Sequence, residues 1–199
     1  MAEYPVASPQ VIKRACETLA LSPVFLDTET TGTGPSDLII EVGIVDLDGN
    51  LLYEGLVNPG KPIPPESSAV NGITNEDVKD EPRWPEVWPV IELILKDRVI
   101  GIYNADFDMR LLRQTCLSHK LNWTLKTEQS FCMMKLFAAY YGEWNPRYNG
   151  FKSQKLEFAG KLCGLSEQNT HHAVDDAKLT AELLRYIAAQ PIKVEKKQE

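Results

Sequence analysis

Nowhere does the sequence keep apolar residues together for the about 18 positions that a membrane-crossing helix needs, so no membrane span is expected. Its opening, MAEYPVASPQ, lacks the charged-then-apolar pattern of a secretory leader, and a cytoplasmic location is expected. Cysteine is scarce. Cys16, Cys116, Cys132 and Cys163 stand far apart with no C-x-x-C pair, which argues against a disulfide framework or a thiolate zinc site. They are expected to be reduced thiols, most of them packed in the core. Of three histidines only His171 and His172 are neighbours, too few for a histidine-built zinc centre. Positive charge is also in short supply: 21 Lys and Arg against 28 Asp and Glu, a net charge of −7. Proteins that wrap duplex DNA are usually basic, so this chain must hold nucleic acid, if it does so at all, by something other than bulk charge. Internal repeats and low-complexity blocks are lacking as well.

What remains is an ordinary globular composition, 43% hydrophobic over 199 residues, enough for one domain with a sizeable core. SPQVIKRACETLAL predicts an amphipathic helix with Ser8 as N-cap and Pro9 at its first position. PVFLDTETTG predicts a strand running into a turn. LIIEVGIVDLDGNLLYEGLVNP predicts two strands joined at Asp48-Gly49-Asn50. Residues 60–82 are expected to form a long connection with one short helix. PEVWPVIELILKD predicts a helix whose first turns Pro89 restricts, followed by a strand in RVIGIYN and a helix in ADFDMRLLRQTCLSHK. EQSFCMMKLFAAYYG predicts a short strand then a helix, GEWNPRYNGFKSQ a loop, and KLEFAGKLCGL a helix that Gly164 closes. In the last long helix Val174, Ala177, Ala181, Leu184 and Ile187 form an inward face at spacings of three and four. Strands first, then strands and helices in alternation, imply an α/β sheet that is partly antiparallel. In such sheets, sites form beyond the carboxyl ends of the strands.

Three acidic stretches fall at those ends. Asp27 and Glu29 are two apart on a strand and so face one side, where two carboxylates repel unless a cation lies between them. One D-x-E is expected by chance in a chain of this composition, so position rather than pattern makes it informative. Asn104, Asp106 and Asp108 stand where a strand hands over to a helix, and an ordinary cap with acids in the first turn accounts for them equally well. Asp175 and Asp176 suit another first helical turn, but a histidine five residues before Asp176 is not explained by capping.

Together, FLDTETTG, YNADFD and HHAVDDA resemble the three motifs of the DnaQ-like 3′–5′ exonucleases, the DEDDh family. The resemblance covers Pro23 to Gln190, and VNGITNEDV resembles the family's connecting segment, with Asn71 where the family often has His. It implies an RNase H-like α/β fold: a mixed five-stranded sheet with helices on both faces. It also implies an exonuclease domain over residues 23–190, an N-terminal helical extension over 1–22 and a charged flexible tail over 191–199. By the motif register, the acids are Asp27, Glu29, Asp108 and Asp176, rather than Asp106 or Asp175, and the histidine is His171, not His172. The four carboxylates would hold two Mg²⁺ ions, with Mn²⁺ able to substitute. His171 would take the proton of the attacking water, since an imidazole titrates near neutral pH.

The resemblance further implies a nucleic acid 3′ end as substrate, with single-stranded or frayed DNA preferred and RNA as the rival. Thr28, Thr30, Thr31, Asn104 and Phe107 are the expected substrate contacts, the threonines through hydroxyls and backbone N–H groups. Trp144, Tyr148 and Phe151, interleaved with Arg147, Lys152 and Lys155, are either base-stacking groups or a loop anchor. A polymerase or repair partner cannot be identified from any motif. The readings from other classes are a binding module with a dead site, which the complete set of acids and histidine argues against, and a phosphatase or nucleotide hydrolase.

Overall fold

The computed structural model describes residues 8–147, 149–166 and 170–192. Tyr148 and residues 193–199, most of the expected tail, lie outside them. Five strands form the central sheet: β1 (Val24–Thr30), β2 (Ile39–Val45), β3 (Leu51–Leu56), β4 (Ile100–Ile102) and β5 (Ser130–Cys132), in the order β3-β2-β1-β4-β5. β1 pairs antiparallel with β2 and parallel with β4, β2 antiparallel with β3, and β4 parallel with β5. The sheet is therefore mixed, as expected. Helices α1 (Pro9–Leu19), α2 (Pro65–Asn71), α3 (Asn75–Val78), α4 (Trp84–Leu95), α5 (Ala105–Ser118), α6 (Met133–Tyr141), α7 (Leu156–Cys163) and α8 (Ala173–Ala188) surround it.

Alternation along β1 divides the core in two. Val24 and Leu26 face α4 and α5, packing with Trp84, Ile91, Leu111 and Leu112. Phe25 faces the other way and packs with Leu136, Val174, Ala177 and Leu184 of α6 and α8. Helices thus cover both faces. The inward face read for α8 is present, and Leu179 and Leu183 are buried too, because α7 and α1 cover this helix from outside. The segment expected as an appendage is tied in: Ala15 of α1 is fully buried in the α8 cluster.

Several local expectations need correction. Residues 60–82 hold two short helices, not one. Pro65 starts α2, Gly72 ends it with φ of +75°, and Thr74 and Asp77 cap α3 reciprocally. The loop after α6 is a small antiparallel hairpin, β6 (Trp144–Asn145) with β7 (Gly150–Phe151). The Trp144 and Phe151 rings meet edge-to-face at 5.3 Å across it, a cross-strand pairing that two-residue strands are too short to announce. Of the cysteines only Cys116 is fully packed away. Cys132 and Cys163 are half-buried and Cys16 is exposed. Among the described residues no helix is long and apolar enough to cross a membrane.

Candidate active site

The site is built on β1. Its register sets Asp27 opposite Gly43 and Glu29 opposite Glu41, and residues directly opposite in an antiparallel pair share a face. All four positions therefore look toward α8. The first turn of that helix lies on Gly43 so closely that a Cβ there would come within 2.4 Å of Ala173 C and Val174 N. Buried Glu41 fixes the same turn, accepting a hydrogen bond from Ala173 N at 2.9 Å. This seating brings Asp176, 6% exposed, over the strand. His171 has φ of +59°, a left-handed conformation that histidine tolerates better than most residues. Glu29, His171 and Asp176 each place a ligand atom within 4.8 Å of the other two.

Asp108 arrives from the opposite face. Thr28 points toward α5, and its hydroxyl donates to Asp108 Oδ1 at 2.9 Å. Asp27 and Asp108 stand outside the compact trio, but Asp27 feels the charges of Asp108, Asp176 and Glu29. The motif register agrees with burial. Asp106 faces outward and pairs with Lys135 at 2.6 Å, and Asp175 accepts from Thr170 at 2.8 Å, whereas Asp108 and Asp176 are buried.

Electrostatics mark the cluster strongly. Burial, then Asp108, Asp176 and Glu29, holds Asp27 well above the usual carboxylate range. Burial lifts Glu29 to about 8, opposed by the Asn71 amide. Burial lifts Asp108 to about 7 against the Thr28 hydrogen bond, and lifts Asp176 to about 7. Four hard oxygen donors driven toward protonation by desolvation and mutual repulsion fit a divalent-cation site, because a bound cation relieves both effects.

These groups titrate from 3.8 or 4.5 in the unfolded chain and higher in the fold, so between about pH 4 and pH 8 the native state binds more protons and stability falls as pH rises. In EDTA the melting temperature should drop by several degrees from pH 5 to pH 8. Millimolar Mg²⁺ or Mn²⁺ should restore it at pH 8 and do little at pH 5. A flat or rising profile in EDTA would contradict the electrostatics.

Beside the acids opens a cleft of about 510 Å³ lined by Thr28, Thr30, Thr31, Asn71 and Phe107 among others. The threonine hydroxyls expected to meet substrate are engaged inward. Thr30 donates to Gly32 O at 2.8 Å and Thr31 to Asp37 Oδ1 at 2.7 Å, as buried hydroxyls must find partners. The backbone N–H of Thr31 is also taken, by Leu38 O. These residues shape the wall rather than present free donors. Asn104 lies outside the cleft lining, is exposed and makes no side-chain cap bond. Trp144 and Phe151 are exposed, and Lys152 pairs with Glu143 at 3.1 Å.

Sequence reasoning missed Glu41 and Gly43. A glutamate and a glycine inside the apolar run IIEVGIV were the available signal, since strand glycines mark close backbone approach. It also set aside Asn71, which lies at the back of the cleft. Its Oδ1 accepts from Ile73 N at 3.0 Å, which turns its amide nitrogen toward Thr30 O, 3.5 Å away.

Comparison with known proteins bears on the family and the fold. Residues 24–184 match the exonuclease family RNase_T. An uncharacterized exonuclease of Escherichia phage 186 is 35% identical over 92% of this chain and 96% of its own. The PolC-type DNA polymerase III of Clostridium perfringens is 33% identical over 90% of this chain, which spans only 12% of that polymerase. The DNA polymerase III epsilon subunit of Treponema pallidum is 30% identical over 84% of this chain and 76% of its own. Among solved structures, exonuclease X in complex with 5′ overhanging duplex DNA superposes with a TM-score of 0.59 at 27% identity, covering 82% of this chain and 89% of that one. E. coli exonuclease I in complex with a dT13 oligonucleotide gives 0.70 at 19% identity, over 84% and 41%. The latter likeness is one of fold.

Proposed function

The chain belongs to the exonuclease family, and on that footing we propose that it removes nucleotides one at a time from a 3′ end, preferring single-stranded or frayed DNA. The observation that carries this reading is the meeting of Glu29 from the first strand with His171 and Asp176 from the start of the last helix, next to Asp27. The preference for DNA rests on exonuclease X, which was solved with DNA. The relatives named as DNA polymerases favour action at DNA ends in the company of a polymerase.

In this reading Asp27, Glu29, Asp108 and Asp176 would hold two divalent cations, Mg²⁺ or Mn²⁺, which would supply charge neutralisation of the phosphodiester and acidification of the attacking water. The chain's own residues do the rest. His171 takes the proton that water gives up as its oxygen bonds to phosphorus. The bond from phosphorus to the neighbouring 3′ oxygen breaks, and that oxygen takes up a proton from solvent. A nucleoside 5′-monophosphate leaves, and the shortened strand keeps a 3′ hydroxyl. A positioned base of this kind contributes about 10²- to 10⁴-fold. Phe107 offers the terminal base an apolar surface at the cleft, and Glu41 with Gly43 seats the helix that carries Asp176.

The test is a matched pair of 5′-labelled DNA and RNA oligonucleotides, incubated with Mg²⁺ or with EDTA. A descending ladder on DNA that EDTA abolishes is expected, with a weaker ladder on RNA. Asp108→Asn and Asp176→Asn should each erase it, while Asp106→Asn and Asp175→Asn leave it within about threefold of wild type, as surface acids away from the chemistry should. Uniform cleavage from the 5′ end, or the reverse ranking of the four variants, would overturn the reading.

A further inference from the structure

Cations are the minority in this chain, yet four of them line two adjoining clefts beside the acidic site. A cleft of about 840 Å³ runs along the outer side of α5, past Met109, Arg110, Arg113 and Leu117. A second, of about 430 Å³, holds Arg14 and Lys135. Ala105, Asp106, Thr127 and Ser130 line both, so the two clefts adjoin along a shared wall and together form one trough on this face. The trough begins at the nuclease site. The Arg110 guanidinium lies 5.3 Å from the Phe107 ring centroid and donates to Thr33 O at 3.2 Å, and both Phe107 and Thr33 line the cleft beside Glu29.

Charge along the trough is opposite to that of the chain as a whole. Arg14, Arg110, Arg113 and Lys135 are set against one carboxylate, Asp106, which Lys135 itself pairs. Arg14 and Arg113 are exposed and take part in no ion pair among the described residues. Leu117, 56% exposed, adds apolar surface. A row of guanidinium groups with apolar side chains between them follows a phosphate backbone while accommodating any base.

We propose that this trough carries the single strand that leads to the 3′ end, binding the phosphates upstream of the one being cut. The proposal rests on the nuclease reading above, but it is a statement about binding and can be tested without turnover. Arg113→Glu and Arg14→Glu, alone and together, are compared with wild type for binding of a fluorescent oligothymidylate of about 20 nucleotides by anisotropy in EDTA, over a salt series. Each substitution should weaken binding about threefold to tenfold and flatten the salt slope by about 0.7 per lost contact, with the melting temperature unchanged. In Mg²⁺ the KM for the long strand should rise in parallel, while the dependence of KM on strand length disappears.

Unchanged anisotropy and salt slope in the double variant would overturn the proposal whether or not the protein cleaves. The same result with an acidic polypeptide binding at Arg113 instead would assign the trough to a protein partner. Weakened binding without any cleavage by wild type would leave the trough standing and remove the nuclease reading.

Discussion

Asp27→Asn should lower 3′-end release by about 10³-fold or more while leaving the protein at least as stable as wild type. Both halves of that expectation come from one property. In the fold the Asp27 carboxyl is held well above its ordinary range by burial and by Asp108, Asp176 and Glu29. An amide of the same shape removes a charge that its neighbours oppose, so metal-free stability should hold or improve. It also removes one of the four acids proposed to hold the cations, and charge stabilisation of a phosphoryl transition state amounts to several kcal/mol, each 1.36 of which is about tenfold in rate. Initial rates on a labelled oligonucleotide, paired with a melt in EDTA, check the two directions together. Activity within about tenfold of wild type would remove Asp27 from the chemistry, and a lower melting temperature would reverse the account of its environment.

The second large effect is expected at a residue without any functional group. Gly43→Ala adds one methyl group where Ala173 C and Val174 N would lie 2.4 Å away. The obstacle is backbone at the start of a sixteen-residue helix, so no side-chain rotation relieves it. α8 must lift from the sheet, which stretches the Glu41 to Ala173 bond of 2.9 Å and carries Asp176 and His171 away from Glu29. Overpacking of this kind costs about 1–3 kcal/mol, a fall in melting temperature of about 3–10 °C at this size. Misplacement by about 1 Å at a reacting centre costs about 10² in rate. Gly49→Ala is the control. Its φ of +89° brings backbone strain, but nothing lies within 4 Å of the added carbon, so it should lower stability modestly and leave turnover alone. Equal activity loss in both variants would mean that the effect is general destabilisation rather than displacement of α8.

The contrast between Asp27 and Gly43 also shows what the sequence makes legible. Alternation along VFLDTET, the hairpin turn at Asp48-Gly49-Asn50 and the three-and-four spacing of α8 are local patterns, and each became the expected element. Spacing alone makes only the Asp27 and Glu29 pair legible; Asp108 and Asp176 are picked out from Asp106 and Asp175 by the resemblance of their motifs, because all four suit a first helical turn. Gly43 and Glu41 are not legible, since their meaning lies in a helix about 130 residues further on, and nothing in IIEVGIV says what will cover it. The hydroxyls of Thr30, which ends β1, and Thr31, which follows it, read from sequence as donors to substrate. Sequence does not show that Asp37, six residues beyond Thr31, turns back to occupy one of them. The β6–β7 hairpin was invisible because its strands are too short for a period to register.

Asp108 approaches β1 through Thr28 from the face that α4 and α5 cover, and Asp176 approaches it from the face covered by α8. The joint action proposed for the acids therefore requires both sides of the sheet to have closed. A chain stalled with either half unpacked holds an incomplete set, so partially assembled molecules should leave nucleic acid intact, and recovery of cleavage during refolding should trail the slower of the two halves.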